Sequence, residues 1–359
     1  MNNSQFDVEM SRLEANPPPC TECRLGFPAP ALASVVSDRH NVSFLVGTAA
    51  SQVIKITVDN QNLQLHYNPF LFTRGTVCGI DSSPSDQDLF LSTYRNEQTG
   101  LMSAAIMELQ WTMAGLGRDV RVVMELDSII NGRKEISAMW HPSDNSRLLC
   151  LQGDSVMMVD IAQAAPRVLW LNEQFVWGER RLETGRWNPH RSYHQLATVM
   201  GSQVMGWDTR MGTHAWSLTP HTSTMIHSLD FNPNKEDHVL TGGEDGCINI
   251  WDIRYQNRSI HSSRHHRHEV KSVRYNPDFD QLLLSAGVSG RAVMESKATE
   301  PVVSHQTPEG LVAMWPDQRD TVHMAEWSAA DPWTFASLSC GGSLIIGQVP
   351  RHIRLSLTA

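Results

Sequence analysis

One local pattern recurs through the chain and limits its fold more than any other feature. It is an apolar stretch ending in an aromatic residue, then one residue, then proline. The pattern stands at Trp140-His141-Pro142, Trp187-Asn188-Pro189, Phe231-Asn232-Pro233 and Tyr275-Asn276-Pro277. The prolines run from 142 to 189, 189 to 233 and 233 to 277, spacings of 47, 44 and 44 residues. The clearest whole unit, residues 221–252, adds a second apolar run, a Glu244-Asp245-Gly246 turn and a closing strand ending in Trp251-Asp252. Runs such as Leu282-Leu283-Leu284 and Ile248-Asn249-Ile250-Trp251 are short, β-prone and bounded by turn residues. No segment carries a long helical period.

A period of about 40–45 residues is that of a WD repeat, in which four strands make one small sheet. Such a sheet cannot bury both faces alone, so blades stack in a ring, and closing the ring removes free sheet edges. Weaker copies begin at Ile80 and His323, and a degenerate one covers Ser43 to Val58. The expectation is therefore an all-β, seven-bladed WD-repeat β-propeller, a single domain over 1–359. Its blades fall near 34–59, 78–109, 136–161, 183–208, 226–252, 270–294 and 322–348. Phe6, Val8 and Met10 alternate with polar residues, which predicts that this N-terminal segment closes the last blade. The stretches 59–77, 111–133 and 296–319 fit no blade core and read as long rim loops.

Twenty-nine basic residues against 38 acidic give a net charge of −9, which disfavours nucleic-acid backbones and anionic membrane surfaces. Six cysteines do not make a disulfide framework. Met1 to Met10 lacks the basic start and apolar run of a secretory signal. With no apolar stretch near 20 residues, the expectation is a cytoplasmic protein that reaches membranes only through partners.

Several residue groups look chemical. His221, Thr241, Asp245 and Trp251 stand where WD repeats place a hydrogen-bonded tetrad, a structural network rather than a hydrolase triad. In the next unit His266 is kept but Ser289 replaces the aspartate, so that blade should be held more loosely. Asp208 with Arg210, and Asp252 with Arg254, form twin W-D-x-R boxes. They read either as strand ends or as docking points for the adaptor of a cullin–RING ubiquitin ligase. Cys20-x-x-Cys23 is half of a zinc site at most and reads as a coincidence in a loop. His261, His265, His266 and His268 read as a solvated loop ahead of a strand. An enzyme would need polar residues converging on the central channel, and no such set is evident. No catalytic residue, cofactor site or metal site is assigned.

Beyond the generic repeat, the stretches Gly185 to His190, Gln195 to Thr198, Gly206 to Arg210, Leu229 to Lys235, Val273 to Asn276, Asp280 to Leu284 and Trp327 to Ser339 resemble one family. So do Phe44 to Thr48 and the closing Val349-Pro350-Arg351. It is the EARP-and-GARP-complex-interacting protein family. The resemblance implies a seven-bladed propeller that associates with the EARP and GARP tethers. It implies work in endosomal recycling, endosome-to-Golgi retrieval and dense-core vesicle biogenesis, at endosomes and the trans-Golgi network. Two departures from the family stand out: 296–319 is short and not strongly acidic, and Ser289, Gly290 and Val293 to Glu295 replace a more regular turn and strand.

Overall fold

Each aromatic-x-Pro motif ends the innermost strand of a blade, and its middle residue ties that blade to the next. Asn188, Asn232 and Asn276 are buried at this position. Each side-chain oxygen accepts the backbone N–H two residues on, at 2.8–3.1 Å, and so folds the turn across the proline. Each side-chain NH₂ then donates into the following blade, to Glu236 O, Asp280 Oδ2 and Pro332 O. A buried amide is costly unless bonded on both ends, which explains why Asn recurs there.

The computed structural model describes residue 13 and residues 17–358, except 60–61, 112–117, 131, 133–134, 173–181, 219–223, 256–258 and 298–309. The described strands form five four-stranded sheets and one of eight strands. The large sheet is two four-stranded units joined at their outer strands by one parallel bridge, Leu71 to Asp119. Divided there, the described strands make seven four-stranded blades. Blade 1 spans 31–71, blade 2 75–125, blade 3 136–172, blade 4 182–218, blade 5 226–263 and blade 6 270–314. Blade 7 combines Val322–Trp327, Thr334–Ser339 and Ser343–Gln348 with Cys20–Arg24 from the N-terminal part of the chain.

That last strand closes the ring. Cys20–Arg24 lies antiparallel to Ser343–Gln348, with Cys20 opposite Gly347 and Arg24 opposite Ser343. Ala329 N–H also donates to Ser34 Oγ at 3.0 Å, which bonds blade 7 to blade 1. The segment expected to do this, Phe6 to Met10, lies outside the described residues. Cys20 and Cys23 sit in the closing strand, not in a loop. Three residues apart in a strand, they face opposite sides of the sheet and cannot share an ion.

The three expected rim loops are corrected as well. Gln64–Leu71, Arg118–Glu125 and Leu311–Met314 are the outer strands of blades 1, 2 and 6. The expected blade boundaries accordingly stop one strand short in blades 1 to 6. Ala292–Ser296, where an irregular strand was expected, is a full strand that pairs on both sides, in unbroken register with Leu282–Gly287 and with a register shift between Met294 and Glu295 against Leu311–Met314.

The core lies between neighbouring blades. Trp140, Trp251 and Trp327 are buried there, and Trp207 is fully so. After blade 7 a short helix, α1 (Arg351–Thr358), packs Ile353 on the last blades and anchors Arg354 Nε to Val349 O at 2.7 Å. No helix among the described residues is long and apolar enough to cross a membrane.

Candidate functional site

The position one residue before the motif aromatic faces the centre of the ring. From blade 1 to blade 7 it holds Ala33, Asp81, Met139, Arg186, Asp230, Arg274 and Glu326, each opposite the equivalent residue of the second strand. Polar residues therefore do converge on the channel, contrary to the expectation from sequence. Glu326 takes a 2.6 Å bond from Arg186 Nη2 across the ring. It also takes bonds from Arg274, Nη2 at 2.6 Å and Nε at 2.9 Å. Arg274 Nη1 is satisfied by Val273 O and Ser228 Oγ. The two aspartates instead bind backbone of the next blade: Asp81 accepts Trp140 N–H at 2.6 Å, and Asp230 accepts Tyr275 N–H at 2.8 Å.

Among the described residues neither aspartate has a cation within ion-pair distance. Burial pushes the carboxyl of Asp81 up to about 6 and that of Asp230 up to about 7, against the pull of the backbone N–H groups and of Arg186. Beside the girdle the channel opens into a cavity of about 610 Å³, lined mainly by blades 1 to 4. The arrangement holds charge in a desolvated place, but it pairs no nucleophile with a base. The signal was present in the sequence: shifting the motif alignment one residue upstream places Arg186, Asp230, Arg274 and Glu326 in one column.

Of the expected tetrad, Trp251 Nε1 donates to Thr241 Oγ1 at 2.8 Å, and Asp245 accepts Cys247 N–H at 2.9 Å in its turn. Gly246 holds φ +73° there, a conformation that favours glycine. His221 lies outside the described residues. Blade 4 repeats the indole bond, Trp207 to Thr198 at 3.0 Å. In blade 6 the buried His266 contacts Ser285 Oγ at 2.9 Å and Ser289 Oγ at 3.3 Å, so two hydroxyls occupy the network positions. Burial lowers His266 to about 4, mainly by desolvation.

Blade 6 departs further, because Glu295 stands where blade 5 has Trp251. This carboxylate is buried, bonded by His261 Nε2 at 3.0 Å and Ser263 Oγ, with His265 Nε2 at 3.3 Å. Burial pushes its pKa up, but those donors outweigh it and bring it down to about 2. The histidine run is corrected accordingly: His265 and His266 are buried, and only part of the run is solvated. Among the described residues no group of three or more His, Cys, Asp or Glu is placed to hold a metal ion.

The W-D-x-R boxes lie at the ends of the third strands of blades 4 and 5. Arg210 grips Asp208 with Nε at 3.1 Å and Nη2 at 2.6 Å. Arg254 grips Asp252 in the same way at 2.9 and 2.6 Å. Both arginines remain about 60% exposed (62% and 60%), and each is followed by an exposed large side chain, Met211 or Tyr255. The boxes are thus closed strand ends that also present two similar amphipathic knobs.

Four-stranded blades, motif asparagines linking them and an N-terminal strand closing the last blade together define a WD-type β-propeller. The model of the family described as EIPR1 beta-propeller matches residues 24–293. The EARP-interacting protein homolog of Danio rerio is 31% identical, over 92% of this chain and 96% of its own length. EARP and GARP complex-interacting protein 1 of Homo sapiens is 26% identical over the same shares. WD repeat-containing protein DWA2 of Arabidopsis thaliana is 25% identical over 90% of this chain and 95% of its own. The chain belongs to the EIPR1 β-propeller family.

Proposed function

We propose that this chain is a non-enzymatic scaffold that binds the EARP and GARP tethering complexes, and through them serves endosomal recycling and endosome-to-Golgi retrieval. One observation carries the reading: relatives named for interaction with these complexes align with nearly the whole propeller rather than with a fragment. A ring of blades bonded to one another is rigid, so its rims bind at a low ordering cost. Membrane contact is then indirect, in the cytoplasm, at endosomes and the trans-Golgi network, and in dense-core vesicle biogenesis where such vesicles exist. No nucleic acid and no cofactor enters the reading. The test is a tagged pull-down from native lysate with mass spectrometry. Recovery of the subunits shared by the two tethers supports the proposal, and their absence against a working bait removes it.

A second reading is favoured by the exposed Arg210-Met211 and Arg254-Tyr255 knobs. It makes the chain a substrate receptor of a cullin–RING ligase, docked on its adaptor through both boxes. Charge reversal at Arg210 and Arg254 separates the two readings. Adaptor binding should be lost with tether binding intact, and unchanged adaptor recovery removes the second reading.

A further inference from the structure

The channel girdle is asymmetric. On blades 4 to 7 its four positions carry Arg186, Asp230, Arg274 and Glu326, and the two guanidinium groups share one carboxylate. On blades 1 to 3 the positions are Ala33, Asp81 and Met139, so a single charge stands between two apolar side chains. The cavity of about 610 Å³ occupies this open side. Asp81 accepts the backbone N–H groups of Trp140 and Ser82, and no cation is bonded to it among the described residues. Leu32, Ile80 and Met324 give the wall an apolar stretch, and Glu135 and Glu183 also line it. Asp81, Glu135, Glu183 and Glu326 line the cavity against Arg186 and Arg274, four acids to two bases.

We propose that this open side of the channel, around Asp81, binds an organic cation carried on an aliphatic stem. The chemistry is that of a lysine or arginine side chain on a partner, or of a free polyamine. The stem runs along the apolar wall and displaces its water. The charged end donates to Asp81, supplying the counter-charge that blades 1 to 3 lack. The two wall glutamates add a negative potential that draws the cation in. The proposal does not depend on the tether reading, since the purified chain alone suffices to test it.

The test is isothermal titration calorimetry at low salt with two probes. One is spermidine. The other is a short glycine peptide, acetylated and amidated, with a single lysine. Two variants accompany the wild type. Asp81→Asn keeps an acceptor for Trp140 N–H and should weaken binding at least about tenfold, as for a buried charge pair that loses one partner. Met139→Lys places an ammonium in the gap from within the chain. It should abolish binding while raising the thermal midpoint, and it decides the matter even if Asp81→Asn does not fold. Binding of spermidine alone assigns the site to free polyamines, and binding of the peptide assigns it to a side chain of a protein partner. If the wild type binds neither probe, or if binding passes undiminished through Met139→Lys, the proposal is wrong.

Discussion

Replacing Glu326 by leucine should destabilise the chain far more than its one side chain suggests. Glu326 is the only carboxylate bonded to either Arg186 or Arg274 among the described residues. Its removal strands two guanidinium groups inside the ring. Arg274 is the more enclosed, with 11% of its side chain exposed, and keeps Val273 O and Ser228 Oγ; Arg186 is 33% exposed and finds some relief in channel water. Breaking a buried pair from one side costs about 3–5 kcal/mol, because a charge is left uncompensated. Two stranded cations, one partly hydrated and one partly bonded, place the loss within that range. Removing all three charges together, as Arg186→Met, Arg274→Met and Glu326→Leu, should restore most of it, since no ion is then left buried alone. Asp81 and Asp230, deprived of a neighbouring cation, can take up protons and remain on their backbone donors. Urea unfolding followed by tryptophan fluorescence, extrapolated to water, measures both variants. A loss below about 1 kcal/mol in the single variant, or a triple variant less stable than the single one, would show that the two guanidinium groups do not depend on Glu326.

Three further outcomes follow from the same geometry. Thr241→Val leaves the Trp251 indole N–H buried without its acceptor and should cost about 1–3 kcal/mol in urea unfolding; an unchanged midpoint would mean that the bond contributes nothing net. Glu295 has a folded pKa near 2, below its unfolded value of about 4.3, so its contribution is full above the unfolded value and lost as pH falls through the folded one. Glu295→Gln should therefore be less stable than wild type at pH 7 and lose that deficit toward pH 2, and a deficit independent of pH contradicts the assignment. Asp230 behaves oppositely. Its folded pKa of about 7 lies above the unfolded one, so it binds a proton in the folded state from about pH 4 to 7 and lowers stability as pH rises through that window. Stability curves of wild type and Asp230→Asn should diverge in the variant's favour between those limits, and parallel curves would contradict it.

The inner three strands of most blades were legible because they are buried on both faces and punctuated by the motif. Ile226–Phe231 and His238–Gly243 show why: an apolar run, a bonded Asn turn and a second apolar run. The outer strands were not, because one face meets solvent. Gln64–Leu71 is exposed or half-buried at every position but Phe70 and contains Pro69, a residue that sheets accommodate mainly on edge strands. The channel girdle was hidden for another reason. Its charges lie 44 or more residues apart, and each looks like an isolated polar residue in a strand until the ring brings them together. Glu295 was misread because its partners His261, Ser263 and His265 come from the adjacent blade, a contact that no local pattern announces. The Asp208–Arg210 and Asp252–Arg254 boxes were plain in sequence, and the structure adds that each arginine is already held by its own aspartate.

On the proposed function, the folded propeller itself engages the tethers. The most direct measurement is binding of the purified chain to reconstituted EARP and GARP complexes, followed by size-exclusion chromatography with the Glu326→Leu variant alongside. The wild-type chain should co-elute with both complexes, and the variant should lose co-elution at temperatures where it has unfolded. Separate elution of the folded wild-type chain from both complexes would contradict it.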